Sequence, residues 1–324
     1  MNGAVSWGFL STANINDKLL AGAAESDRVD VIAVASRDAA RAEAYARERG
    51  IGRAYGSYEE LLADPDVEAV YISLPNSLHV EWSIRALEAG KHVLCEKPLS
   101  RRPQDVERAF DVAEQSDRLL MEAFMYRHNP QTAKLEELVG GGAIGRLRLV
   151  RAAFSFRLEN AQDVRLDESL DGGGLMDVGC YCISGARLLG GEPERVYGEQ
   201  VPSVSGVDEL FTGTMRLQGD VLAQFDSGLV LPERDGLEAI GEEGSLFLDD
   251  PWHCQRPVIE LRTAGGMEEI AVERADSYRL QLENLSDAIR GEAEPLLGRD
   301  DALGQARAID ALYRSAAEGR PVNL

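Results

Sequence analysis

Lys97 directly follows an apolar run at 92–95 and Glu96, and precedes Pro98, in a chain whose lysines fall only at positions 18, 91, 97 and 134. Asp177 and Tyr181 lie four apart in a segment that follows Gly172-Gly173-Gly174, a spacing that puts both on one face of a helix. Ser36-Arg37 closes a β-branched run at 29–36. An ammonium stabilises developing negative charge, a phenol or carboxylate takes and gives protons, and a guanidinium grips phosphate through two charge-assisted bonds. Each residue also has an ordinary reading: a surface lysine, a core tyrosine with its hydroxyl satisfied, a charge at a helix start, a solvated arginine.

The elements around these residues decide between the readings. Apolar runs at 4–9, 29–36, 69–74, 92–95 and 119–123 alternate with helical segments at 16–24, 39–50, 80–89 and 103–116, which predicts a parallel sheet covered on both faces. Ligands of such sheets bind outside the carboxyl ends of the strands. Ser36-Arg37, Leu74-Pro75-Asn76-Ser77-Leu78-His79 and Glu96-Lys97-Pro98 all fall at those ends. The first turn reads Gly8-Phe9-Leu10-Ser11-Thr12-Ala13; of a Gly-x-Gly-x-x-Gly fingerprint it keeps only the first glycine, with small Ser11 and Ala13 leaving room for a pyrophosphate. A plain strand–helix turn fits the same residues. Ser36-Arg37, where an NAD site carries an acidic residue, suits the 2′-phosphate of NADP, with NAD the alternative.

After residue 124 the pattern changes. Helices at 131–139 and 175–189 bracket a strand at 147–157, seven alternating strands fill 195–272, and helices at 277–290 and 300–318 close the chain. The fold class is therefore an α/β Rossmann domain with a parallel sheet (1–124, dinucleotide-binding), followed by an α+β domain with a large mixed or antiparallel open sheet (125–324, substrate binding and oligomerisation). The last helix is free to pack back on the first domain.

Composition narrows the classes. A net charge of −22 opposes nucleic-acid binding, which needs a basic footprint. No apolar run reaches the roughly 20 residues of a membrane span, and the first residues lack a basic signal segment, so the cytoplasm is expected. Cys95, Cys180, Cys182 and Cys254 form no Cys-x-x-Cys, and the four histidines lack ligand spacing, so no metal site is expected. An uncovered apolar sheet face in the second domain would favour a homodimer or homotetramer.

Five motifs, in order from residue 8 to 181, are similar to those of the glucose–fructose oxidoreductase, inositol dehydrogenase and rhizopine catabolism (Gfo/Idh/MocA) family: residues 8–13, Pro75-Asn76-Ser77-Leu78-His79, Glu96-Lys97-Pro98-Leu99-Ser100, Glu122-Ala123-Phe124-Met125-Tyr126-Arg127, and the Gly172-Gly173-Gly174 to Tyr181 run. The resemblance implies hydride transfer between NADP and a sugar, polyol or dihydrodiol carbon. It implies that Lys97 sits beside the nicotinamide and that Tyr181, where many members carry His, exchanges the substrate proton. Asp177 would orient hydroxyls, and Arg165 would approach cofactor or substrate. The other implied cofactor contacts are Gly8, Leu10, Ser11, Thr12, Ala13, Ser36, Arg37, Leu74, Pro75, Asn76, His79 and Glu96; Tyr126, Arg127 and His128 would face the substrate. A free phenol titrates at about 10, so the Lys97 ammonium would have to lower Tyr181 for it to serve as a base. Tyrosine in this slot resembles the branch of NADP-dependent xylose dehydrogenases, dimeric dihydrodiol dehydrogenases and glucose–fructose oxidoreductase. A non-catalytic NADP-binding regulator and a hydride-neutral sugar enzyme with tightly held NAD are the alternatives.

Overall fold

The computed structural model describes residues 3–160 and 162–324. Its first half alternates strands and helices. In chain order these are β1 (Val5–Leu10), α1 (Asn16–Ala24), β2 (Val29–Ala35), α2 (Ala39–Arg49), β3 (Arg53–Tyr55), α3 (Tyr58–Leu62), β4 (Ala69–Ile72), α4 (His79–Glu88), β5 (His92–Cys95), α5 (Pro103–Gln115) and β6 (Leu120–Glu122). The six strands are all parallel, in the order β3-β2-β1-β4-β5-β6. The order reverses between β1 and β4, and an open α/β sheet forms its ligand crevice at that switch point. Trp7, Phe9, Leu10, Ile72, Val93 and Leu94 are fully buried, as continuous apolar strands with both faces covered must be. The unforeseen strand is β3, three residues long with a charged member, too short to show a period.

The second half contains α6 (Pro130–Gly140), β7 (Leu147–Arg157), α7 (Cys180–Gly190), β8 (Pro193–Pro202), β9 (Asp208–Leu217), β10 (Leu222–Gly228), β11 (Val230–Gly241), β12 (Gly244–Leu248), β13 (Val258–Thr263), β14 (Gly266–Ala271), α8 (Ser277–Ile289), α9 (Arg299–Glu318) and β15 (Val322–Asn323). Its nine strands form one mixed sheet, β14-β13-β12-β11-β7-β10-β9-β8-β15, antiparallel except for the pairing of β10 with β7. One face buries Val150, Ala152, Phe154, Phe211, Met215, Phe225, Leu237 and Ala239. The outward row of the central strands reads Arg151, Thr212, Thr214, Leu222 and Gln224, all exposed. The same face carries part-exposed Leu149, Ala153, Leu210 and Ile240, so it mixes apolar and polar side chains.

The chain forms two compact units. The first runs to Met125 and takes in Tyr278–Leu303; the second comprises Tyr126–Ser277 and Gly304–Leu324. The sequence reading placed one cut at 124. The returning segment belongs to the first unit because Ser286 Oγ accepts from the buried Trp7 Nε1 at 3.2 Å and Arg290 pairs with Glu68 at 2.7 Å. Among the described residues no helix is long and apolar enough to cross a membrane.

Candidate active site

The turn after β1 is built by Ser11. Its φ of 117° is a conformation that favours glycine, and a polar cluster holds it there. Ser11 Oγ lies 2.7 Å from Ser73 Oγ, Ser73 Oγ donates to Asn16 Oδ1 at 2.6 Å, and Asn16 Nδ2 donates to Ser11 O at 2.9 Å. Ser73 and Asn16 were not foreseen. Gly8, expected to open the fingerprint, instead lies inside β1, where a Cβ would press on Leu61 at 2.7 Å. It serves sheet–helix packing and is set back from the ligand end of the strand, and Leu10 is fully buried at the end of that strand. Through Ser11, Thr12 and Ala13 the small side chains leave the backbone open, and among the described residues the Thr12 and Asn14 amides donate to no protein acceptor. Such amides before a helix suit an anion.

At the end of β2, Ser36 is buried and its Oγ accepts from Asp38 N at 3.3 Å. Arg37 is exposed, and so is Arg41 in the first turn of α2. Both guanidiniums face Tyr58, pulling its phenol down while burial pushes it up by more. Neither arginine has a carboxylate within ion-pair distance among the described residues. Arg41 was missed because it lies inside the following helix, away from the strand-end motif.

The ends of β4, β5 and β6 are tied to one another. His79 is buried, with its ring nitrogens 2.8 Å from Leu74 O and 2.9 Å from Pro98 O. It staples two strand-end loops through their carbonyls. Pro75 precedes the short helical turn Asn76–Leu78. The Lys97–Pro98 bond is cis. Glu96 accepts from the Tyr71 hydroxyl and from Lys97 N, and buried Glu122 accepts from Leu99 N at 2.6 Å. Two carboxylates thus fix the backbone on both sides of Lys97.

In the second unit the three glycines are explained by what crowds them. A Cβ on Gly172 would strike Arg165 O, and one on Gly173, whose φ is 121°, would strike Asp208 Oδ1. Asp208 is buried and accepts from Leu175 N at 2.6 Å and from the Tyr313 hydroxyl at 2.8 Å, and burial pushes its carboxyl up to about 6. It caps the start of the helix. The expected regular helix opens with a π-turn, Leu175–Gly179, before α7. π-turns recur at functional sites because they re-aim side chains.

Asp177 lies in that π-turn, and Arg165 Nε donates to its Oδ2 at 2.8 Å. Asp163 Oδ1 holds the same guanidinium at 3.1 Å. Tyr181, 7% exposed, follows at the start of α7. Its ring packs against Tyr126, Phe154 and Trp252 at centroid distances of 5.8, 5.4 and 5.8 Å. Tyr126 is itself buried, with its hydroxyl 2.7 Å from Ser184 Oγ. Arg127 and His128 are half-buried in the short helical turn that follows. Phe154 and Trp252 went unforeseen because a strand aromatic and a loop aromatic read as ordinary core.

Asp235, Asp250 and His253 bring three potential ligand atoms within 4.8 Å of one another, a grouping that sequence spacing did not reveal. His253 Nδ1 lies 2.9 Å from Asp235 Oδ2 and 3.4 Å from Asp250 Oδ1, and the two carboxylates push the imidazole up to about 9. The protonated ring supplies the positive charge between the two acids.

Comparison with known proteins agrees with this arrangement. Residues 7–124 match the model of an oxidoreductase family with an NAD-binding Rossmann fold, and residues 132–247 match the GFO/IDH/MocA C-terminal domain. The chain is 39% identical to D-xylose 1-dehydrogenase (NADP(+)) 2 of Haloferax volcanii, over 98% of this chain and 99% of that one. The chain belongs to the Gfo/Idh/MocA oxidoreductase family. Two solved members share its architecture. The aldose–aldose oxidoreductase of Caulobacter crescentus, complexed with glycerol, superposes with a TM-score of 0.92 at 28% identity, covering 99% of this chain and 100% of that one. A 3-ketoreductase of Actinomadura kijaniata, in complex with NADP and TDP-benzene, gives 0.91 at 29% identity, over 96% and 98%. Within the Gfo/Idh/MocA frame, the Lys97 loop and the Tyr181 helix belong to the Rossmann unit and the C-terminal unit respectively.

Proposed function

We propose that the protein is an NADP-dependent dehydrogenase or reductase acting on a CH–OH group of a sugar, polyol or dihydrodiol, with Lys97 and Tyr181 as its catalytic pair. The observation that carries this reading is Tyr181 itself: a nearly buried phenol in an aromatic wall, on the helix whose opening turn holds the ion-paired Asp177. NADP suits the first unit. Thr12 and Asn14 offer amides to a pyrophosphate, and Arg37 with Arg41 offers two guanidiniums to a 2′-phosphate. The relative from Haloferax volcanii is named for NADP, and the ketoreductase was solved with it.

NADP supplies the hydride donor or acceptor at C4 of its nicotinamide. Everything else falls to the chain. Tyr181 takes the hydroxyl proton during oxidation and returns it during reduction, and the Lys97 ammonium stabilises the alkoxide-like charge that develops on the substrate oxygen. Asp177, fixed by Arg165, accepts from a neighbouring substrate hydroxyl and so orients the reacting carbon. Phe154, Tyr126 and Trp252 pack around the Tyr181 ring, fix its orientation and keep water from its buried side.

The test is a spectrophotometric screen of aldoses and trans-diols with NADP and with NAD, run on wild type and on Lys97→Met. Reduction of NADP by at least one aldose or diol, lost in Lys97→Met, is expected. Undiminished turnover in Lys97→Met overturns the assignment of Lys97, and no turnover across the panel favours a regulatory role for the protein.

A further inference from the structure

Trp252 is fully buried against Tyr126, Phe154 and Tyr181, yet it belongs to the irregular stretch between β12 and β13. Loops are ordinarily the mobile part of a fold. The Trp252 ring has one polar tie of its own, Nε1 to Ala153 O at 3.1 Å. The rest of its placement comes from its neighbours. Asp250 accepts from the amides of His253, Gln255 and Arg256 at 3.2, 2.7 and 3.3 Å, which curls the loop on itself. The His253 ring sets its edge against Phe154 at 5.5 Å and points Nδ1 at Asp235. Asp235 pairs in register with Phe154 across β11 and β7, so the two side chains share one face of the sheet. His253 thus bonds the loop to the strand whose neighbour carries the wall around Tyr181.

We propose that Asp235, His253 and Asp250 form a latch that holds Trp252 against Tyr181 and thereby sets the fit of the substrate, making His253 a positioning residue. The latch is an imidazolium between two carboxylates. The other charged side chains around the adjoining cavity of about 600 Å³ are Glu233 and Arg234 of β11 and Asp249 of the loop. Arg234 is engaged by Asp226 and Asp249 by Arg256, which leaves Asp235 to His253. The 2.9 Å contact joins a ring nitrogen to a carboxylate whose side chain is only 12% exposed, so breaking the contact strands a charge out of water. That cost makes the latched arrangement the stable one. The catalytic meaning of the latch rests on the reading of Tyr181 given above; its mechanical meaning does not.

The full-length protein, labelled with 5-fluorotryptophan, reports the latch by ¹⁹F NMR. The Trp252 resonance is identified by its absence in Trp252→Phe. It is expected to shift or broaden in His253→Ala and Asp235→Asn, and to return towards its wild-type position in His253→Asn, whose amide N–H takes the place of Nδ1. An unmoved Trp252 resonance in both His253→Ala and Asp235→Asn overturns the latch. With D-xylose, or a trans-dihydrodiol where that is the compound turned over, His253→Ala should raise KM about tenfold with kcat and the KM for NADP little changed, and His253→Asn should restore it. A moved resonance with an unchanged substrate KM overturns the link to substrate fit. Full turnover in Tyr181→Phe alongside a moved Trp252 resonance overturns the catalytic reading and leaves the latch standing.

Discussion

Arg165 Nε donates to Asp177 Oδ2 at 2.8 Å, so the arginine expected to meet a cofactor or substrate is bound to the carboxylate expected to orient one. The Asp177 carboxylate raises the pKa of the Arg165 guanidinium, as an ion-paired neighbour does. Arg165→Gln and Asp177→Asn should each lower kcat/KM about tenfold, and the double variant should lose no more than the worse single one, because partners in one contact are not additive. The Arg165 side chain is 41% exposed, and exposed pairs contribute only about 0–1 kcal/mol, so the thermal midpoint should barely move. Additive losses in the double variant would show that the two residues act separately.

Tyr181→Phe should lower kcat by about 10²–10⁴-fold, the range of a positioned acid–base group, while NADP binding measured by fluorescence stays as it was. The ring keeps its contacts with Tyr126, Phe154 and Trp252, so stability should be nearly unchanged. Retained activity would remove the phenol from the mechanism.

Arg37→Ala should raise the KM for NADP by about tenfold to a hundredfold, the loss of one or two charge-assisted bonds, and leave the KM for NAD alone. Arg41→Ala should act in the same direction more weakly. Equal effects on both cofactors would place these side chains away from the 2′-phosphate.

Asp208 predicts a pH signature. Burial raises its carboxyl from 3.8 to about 6, so the folded chain holds its proton over a window where the unfolded chain has released it. Its contribution therefore favours folding below about 4, declines as pH rises from 4 to 6, and is a constant cost above 6, roughly 3 kcal/mol at about 1.4 kcal/mol per pKa unit. Other carboxyls, such as Glu68 beside Arg290, are lowered and slope the opposite way. The stability of wild type minus that of Asp208→Asn, from urea midpoints at several pH values, isolates the carboxyl and should fall across that window. A flat difference would mean that Asp208 titrates normally.

Gly173→Ala should cost at least about 2 kcal/mol, from strain at a φ of 121° together with the collision on Asp208. Gly50→Ala offers a comparison at a positive φ with open space around it, where only the conformational part of the cost applies. Equal losses at the two positions would show that the Asp208 contact adds nothing.

Much of this was legible in the sequence because it is local. Continuous apolar strands announced a parallel sheet, and Lys97 and Ser36-Arg37 stood out by lying at strand ends. The less legible features depend on contacts between distant residues. Ser11 takes a glycine conformation because Ser73 and Asn16 hold it, 62 and 5 residues away. Phe154 and Trp252 become a wall around Tyr181 only when β7 and the loop after β12 fold on α7. Gly8 misled for the opposite reason: a motif was read where packing against Leu61 was the cause.

The first compact unit is discontinuous, and this has a consequence for how the protein is made. Trp7 Nε1 and Glu68 find their partners at Ser286 and Arg290, near the far end of the chain. The nucleotide-binding sheet ends at Glu122, so during synthesis it must wait, incompletely satisfied, until Ser286 and Arg290 leave the ribosome. Eight of the nine strands of the second sheet, from Leu147 to Ala271, are made before Ser286 and Arg290, and only β15 follows them. A gene fragment ending at Met125 would encode every strand of the first sheet and still leave the indole of Trp7 without its acceptor, so cutting the gene at the apparent boundary should yield an aggregation-prone half and no minimal cofactor-binding module.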